Sequence, residues 1–160
     1  MQTLWNRTSL LPAYPRLEEN LHSDVAVVGG GMAGILTAYA LHARGLRVVL
    51  LEGDRLASGV TAHTTAKLSA QHGMFCERLL RDFGLHLARQ YVRANLDAVE
   101  QFRALVREKN IDCDLCDEDA YLYAAPNGPN LAREYECALL LCAPARLKRP
   151  EGLPFPGREA

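Results

Sequence analysis

Gly29, Gly31 and Gly34 stand at the spacing G-x-G-x-x-G, and a single acid, Glu52, ends an apolar run further on. These four positions could seat an adenine dinucleotide. The first glycine allows a tight turn, the second lets a pyrophosphate approach the backbone without meeting a Cβ, and the third lets a helix pack closely on a strand. The phosphates would rest on a helix N-terminus, whose unpaired N–H groups and positive dipole end favour an anion. Glu52 can accept both hydroxyls of an adenosine ribose and would repel a 2′-phosphate, which disfavours NADP. FAD and NAD share this arrangement, so the glycines leave the choice between them open.

The motif carries weight only if a strand precedes it and a helix follows. Asp24–Val28 (DVAVV) is a short β-branched run of the kind that forms a buried parallel strand, and Gly29-Gly30-Gly31 end it at once. A helical pattern from Met32 to Ala43 follows, with Gly45 as its C-cap. Arg47–Glu52 (RVVLLE) reads as a second buried strand. Strand, helix and strand within about 30 residues make one right-handed βαβ unit. Ala38 and Gly45 continue the small-residue pattern that keeps such a helix against its sheet.

Residues 1–23 carry scattered apolar side chains and no clear period, so they read as an extended lead-in pinned by Trp5, Leu11 and Tyr14. Residues 53–73 are small and hydroxylated, consistent with a loop and a short helix beside something bulky. Phe75–Phe83 looks helical and Gly84 breaks it. A longer amphipathic helix then runs from Leu85 to Glu108, with Leu85, Ala88, Val92, Leu96, Val99, Phe102 and Val106 on its apolar face. Arg93 and Asp97 can pair across one turn. Ile111–Asp117 and Ala120–Ala125 read as two strands of a hairpin around Glu118-Asp119, and Leu131–Leu141 as a helix. Beyond Pro144 the chain is rich in proline and glycine and reaches no further periodic element.

The 18 basic residues are interleaved among 19 acidic ones for a net charge of -1, so no global field gathers phosphate backbones and nucleic acid is not an expected partner. Val25–Leu41 is uncharged, but three adjacent glycines and flanking Asp24 and Arg44 argue against a membrane span. Five cysteines, an odd number, and no basic n-region before an apolar run imply reduced thiols and a cytoplasmic location.

Other constellations carry less. Cys113 and Cys116, with Cys137 and Cys142, could in principle surround zinc, but a strand would send the first two to opposite faces. A thioredoxin-like role requires the pair to open a helix, and nothing opens one at Cys113. His22, His42, His72 and His86 lack metal-binding spacing. The acids Asp112, Asp114, Asp117, Glu118 and Asp119 lack the central glycine and terminal glutamate of a calcium loop. No nucleophile elbow is present. No metal site is expected, and no catalytic residue is identified.

From Asp24 through Ala125 the chain resembles the N-terminal part of the D-amino-acid oxidase and glycine oxidase family of FAD-dependent oxidoreductases. DVAVVGGGMAGILTAYALHARGLRVVLLE is similar to that family's flavin-binding signature. GVTAHTTAKLSAQHG (Gly59–Gly73), IDCDLCDEDAYLYA (Ile111–Ala124) and the lead-in TLWNRTSLLPAYPRLEENLHSDV narrow the resemblance to bacterial members that often end in a Rieske iron-sulfur domain. It implies FAD as cofactor and oxidation of a C–N bond in an amine or amino acid, with hydride transfer to the flavin N5. It also implies a fold in which an α/β, Rossmann-like FAD-binding βαβ unit carries added helices and the start of a substrate-domain hairpin. Its substrate-binding residues lie mostly in a C-terminal half.

Related dimethylglycine and sarcosine dehydrogenases hold flavin covalently through a histidine in Ser/Thr-x-Trp-His-Ala-Ala-Gly. Thr61-Ala-His63-Thr-Thr-Ala66 aligns with that stretch and puts His63 on the linking position. Ala62 in place of tryptophan and Lys67 in place of glycine count against the bond. The milder reading sets His63 beside the flavin ring while Thr61, Thr64 and Thr65 offer hydroxyls or N–H groups to FAD. A purely structural hydrogen bond at His63 is the third alternative, and Lys67 reads as a solvated charge.

The expected organisation is a lead-in (1–23), the FAD-binding βαβ with its flavin-contacting loop (24–72), a helical segment (73–110), the start of a substrate domain (111–143) and an irregular tail (144–160) of an apparently truncated chain. Expected partners are a small-molecule amine or amino acid, and a Rieske-type electron-transfer domain or a complementing C-terminal half. Two rival readings stand beside the oxidoreductase: a catalytically silent nucleotide-binding module, and an NAD-dependent dehydrogenase fragment.

Overall fold

The computed structural model describes residues 3–8, 11–124 and 128–147. The chain divides into two compact units, Met1–Lys67 and Leu68–Ala160.

The first unit is an α/β arrangement. Helix α1 (Leu4–Thr8) precedes strand β1 (Val25–Val28), helix α2 (Met32–His42), strand β2 (Val48–Leu51) and a 3-10 helix (Val60–His63). The two strands pair in parallel, Val25 against Val48 through Val28 against Leu51. Asp24 fastens one end of the ladder: its carboxylate accepts the Arg47 backbone N–H at 2.8 Å and the Arg47 guanidinium at 2.8 Å. At the other end Gly29 N–H donates to Leu51 C=O at 2.8 Å. Parallel strands need a crossover, and α2 supplies it while packing on both strands. The C-cap is Ala43 rather than the expected Gly45, which lies two residues on, adopts φ +84° and donates its N–H to His42 C=O at 2.9 Å.

Two further expectations need correction in this unit. The lead-in is not wholly extended, because Leu4–Thr8 is helical; Leu11 and Tyr14 are exposed and do not pin it. Neither strand is buried, and Val28 is 83% exposed. One helix can cover only one face of a two-stranded sheet, so β-branched composition alone does not bring burial.

The second unit is built on helix α3 (Cys76–Lys109) and helix α4 (Leu131–Leu140). Gly84 interrupts α3 with φ 70° and ψ 171°, which makes a kink between two helical stretches at the expected break. Phe75, Cys76, Ala88 and Val92 pack with Cys137, Ala138 and Leu141 to form the core. Leu85 lies outside it, 44% exposed. The expected Arg93–Asp97 pair is formed at 2.9 Å.

The buried carboxylate of Glu134 on α4 accepts the N–H groups of Phe75 and Cys76 at 2.7 Å each and of Glu77 at 3.2 Å. A side chain of one helix thus caps the N-terminus of the other and offsets its dipole. Asn130 caps α4 itself by accepting the Arg133 N–H at 3.1 Å.

The expected hairpin is absent: residues 111–124 form no strand, and Ala125 lies outside the described residues. Asp117 instead pairs with Arg103 of α3, Asp119 lies 3.6 Å from Arg146, and Asp114 takes φ 50°. Cys113 and Cys116 therefore sit on an exposed irregular segment rather than on a strand. The tail beyond Leu147 also lies outside the described residues.

Candidate functional site

The site grows from the bend between β1 and α2. Gly29 takes φ +104°, a conformation that side chains resist, and turns the chain off the strand. Gly31 is the N-cap of α2 in extended conformation, and the first intrahelical bond runs from Ile35 N–H to Gly31 C=O at 3.0 Å. The amides of Met32, Ala33 and Gly34 therefore lack intrahelical acceptors and face the bend. A Cβ on Gly34 would lie 1.8 Å from Gly29 C=O, so only glycine allows the helix to start this close to the strand end. A Cβ on Gly31 would meet nothing nearer than Thr61 Oγ1 at 3.4 Å, so that position is held open on its solvent side.

Glu52, one residue past β2, turns back to the bend. Its Oε2 accepts the Gly30 N–H at 2.6 Å and its Oε1 the Asp54 N–H at 3.0 Å. These backbone donors, Gly30 first, hold the carboxyl below the ordinary carboxylate range, so it is ionised at neutral pH. Each oxygen retains lone-pair capacity for a further donor.

Gly30 is a residue that motif reading passes over. A Cβ there would lie 2.4 Å from Leu56 Cδ2 and 3.1 Å from Glu52 Cβ, so a side chain at the middle of the triplet would have to displace the end of Leu56 and crowd Glu52. The run of three consecutive glycines was the available signal.

The 3-10 helix brings Thr61 to the same place. Thr61 Oγ1 accepts the Met32 N–H at 3.0 Å and so caps the first amide of α2 from outside the helix. Gly29, Gly31, Gly34, Glu52 and Thr61 thus converge on one helix end. His63, Thr64 and Thr65 lie just beyond and are exposed. His63 Nδ1 is 3.0 Å from Gly59 C=O. A carbonyl only accepts, so Nδ1 carries a proton and donates it there, and Nε2 is the ring nitrogen left for another partner. Thr64 C=O accepts the Trp5 indole N–H at 2.8 Å.

In the second unit, residues that include Val92, Leu96, Leu131 and Tyr135 line an open cleft of about 930 Å³. Its charged groups are largely engaged with one another, Arg93 with Asp97 and Arg103 with Glu100. Among the described residues no group of three or more histidines, cysteines and acids is placed to hold a metal, and no helix is long and apolar enough to cross a membrane.

Residues 24–154 match the family model described as FAD dependent oxidoreductase (DAO). The chain is 47% identical over 124 residues to YhfW of Bacillus subtilis (strain 168), a protein named for a Rieske 2Fe-2S iron-sulfur centre; the match covers 78% of this chain and 24% of that protein. It is 29% identical over 119 residues to the gamma-glutamylputrescine oxidoreductase of Escherichia coli (strain K12), covering 74% of this chain and 28% of that enzyme. It is 24% identical over 101 residues to the oxidoreductase OrdL of Haemophilus influenzae, 63% of this chain and 23% of that protein. The chain spans about a quarter of the length of these relatives. No solved structure matches it. The family's cofactor is FAD, which decides between the two dinucleotides that the glycine spacing alone admits. The chain belongs to the family of FAD-dependent oxidoreductases typified by D-amino-acid oxidase.

Proposed function

We propose that the chain is the FAD-binding portion of an oxidoreductase that oxidises a C–N bond of an amine or amino acid, and that the bend between β1 and α2 is its dinucleotide seat. The observation that carries this reading is the 2.6 Å bond from Gly30 N–H to Glu52 Oε2, which holds an ionised acid beside an open helix N-terminus.

The residues present fit the cofactor. The amides of Ala33 and Gly34 and the dipole end of α2 face the position of the pyrophosphate, and Gly31 offers no Cβ to obstruct it. Thr61 has its oxygen committed to Met32 N–H, which leaves its hydroxyl proton for a phosphate oxygen. Glu52 accepts the ribose hydroxyls with its remaining lone pairs and repels a 2′-phosphate. His63, Thr64 and Thr65 face the flavin end, with His63 Nε2 directed away from its Gly59 bond. Bound flavin supplies the hydride acceptor at N5, and the protein's part is to bind and orient it.

Apolar α2, which has no buried residue, and the half-buried sheet call for a covering segment. We assign that role to a complementing C-terminal half, which would also carry the substrate site; a Rieske-type domain is the expected electron acceptor by likeness to YhfW.

The test is the visible spectrum of the purified chain after incubation with FAD and gel filtration. Co-eluting flavin absorbance supports the reading, and colourless protein contradicts it. Colour that stays with acid-precipitated protein would support His63 as a covalent anchor, whereas colour released to the supernatant would exclude the covalent bond.

A further inference from the structure

We infer that Trp5 is a positioning residue for the cofactor seat: its indole N–H clamps the segment that carries Thr61 and His63. This rests on the reading of that segment as cofactor-facing.

A 3-10 helix of four residues, Val60–His63, is too short to hold itself in water. Its own bonds are few: Ala62 N–H to Gly59 C=O at 3.1 Å, and the His63 ring to the same carbonyl at 3.0 Å. Buried Ala62, 4% exposed, is too small to anchor it by packing. Two bonds of long sequence separation fix it instead. At its start Thr61 Oγ1 is tied to Met32 N–H at 3.0 Å, and just past its end Thr64 C=O is tied to Trp5 Nε1 at 2.8 Å. The indole N–H is donor only, so its direction is set by that carbonyl. Helix α1 packs against the 3-10 helix and carries Trp5 to this point. With the far tie released, the segment would swing about its remaining tie, and Thr61 would leave the first amide of α2 more often.

Trp5 is the sole tryptophan of the chain, which allows a clean exchange of its chemistry. Trp5→Phe removes the donor and shrinks the ring; replacement by β-(3-benzothienyl)alanine removes the donor and keeps the ring's shape. Two readouts apply to the full chain: amide hydrogen exchange without cofactor, and FAD affinity by titration. In both variants exchange at Met32 should quicken about fivefold, the worth of one net hydrogen bond, while Gly29, bonded to Leu51, keeps its parent rate. FAD affinity should fall by a similar factor. Unchanged exchange at Met32 in the benzothienyl variant overturns the clamp, as does equal quickening at Met32 and Gly29, which would report general destabilisation. Quickened exchange with unchanged FAD affinity overturns its service to the cofactor. If the parent chain binds no FAD, the proposed function fails while the exchange arm still decides the clamp.

Discussion

Glu52 Oε2 accepts the Gly30 N–H at 2.6 Å, so the acid at the end of the second strand is fastened to the middle of the glycine bend. Strand pairing alone would bring Glu52 near the bend; this bond sets the carboxylate's direction. Glu52→Ala should lower FAD affinity roughly 10- to 100-fold, the range expected for lost hydrogen bonds to a charged group. Glu52→Gln should lose less, since an amide keeps one acceptor oxygen. Titration with FAD checks both variants, and parent-like affinity in Glu52→Ala would remove the carboxylate from the site.

The glycines should separate by what a methyl would strike. Gly34→Ala places a Cβ 1.8 Å from Gly29 C=O, a backbone atom that cannot step aside, and should destabilise the first unit by about 3 kcal/mol. Gly31→Ala meets only Thr61 Oγ1 at 3.4 Å and should leave the melting temperature nearly unchanged while weakening FAD binding. Thermal melts beside titrations test the contrast. Equal stability loss in both variants would contradict it.

The pH dependence follows from the lowered pKa of Glu52. A depressed carboxyl gives its contribution fully above its ordinary value of 4.5 and loses it as pH falls through the lower folded value. FAD affinity measured from pH 7 downward should therefore hold level to about pH 4.5 and decline only below it. Glu52→Gln should lack that decline. A fall beginning near pH 6 would point to a histidine instead.

Glu134 should prove the main polar support of the second unit. Glu134→Ala leaves three N–H groups of α3 without their cap and should cost about 2 kcal/mol in denaturant unfolding. Burial and the Glu134 carboxylate push the adjacent Cys76 thiol up to about 12, so it should resist alkylation at pH 8 while exposed Cys113, Cys116 and Cys142 react. Because that thiol's folded pKa lies above its ordinary value of 9.0, its contribution to stability is full below pH 9 and diminishes as pH rises toward 12. Mass spectrometry of alkylated protein reads the first effect and unfolding at high pH the second.

The parts of this fold that were legible from sequence are those written in local chemistry. Gly29 and Gly34 mark a strand-to-helix bend because backbone geometry there excludes other residues, and Gly84 marks a kink for the same reason. The α3 stripe was readable at Ala88 and Val92 through its period. What escaped depends on distant partners. Glu134 caps a helix that begins 58 residues earlier at Cys76, and Trp5 reaches Thr64 across 59 residues; no local pattern announces either. The hairpin expected at 111–125 failed because alternation describes a strand only where a partner accepts its hydrogen bonds, and the acids there are drawn to Arg103 and Arg146 instead.

The most direct test of the dinucleotide seat is a two-dimensional amide NMR spectrum of the isotopically labelled chain as FAD is added. The account predicts the largest shifts at Gly31, Met32, Ala33 and Gly34, with Glu52 and Thr61 following, and small shifts along α4. Saturating FAD that leaves these amides in place, or moves only residues of the second unit, would contradict it.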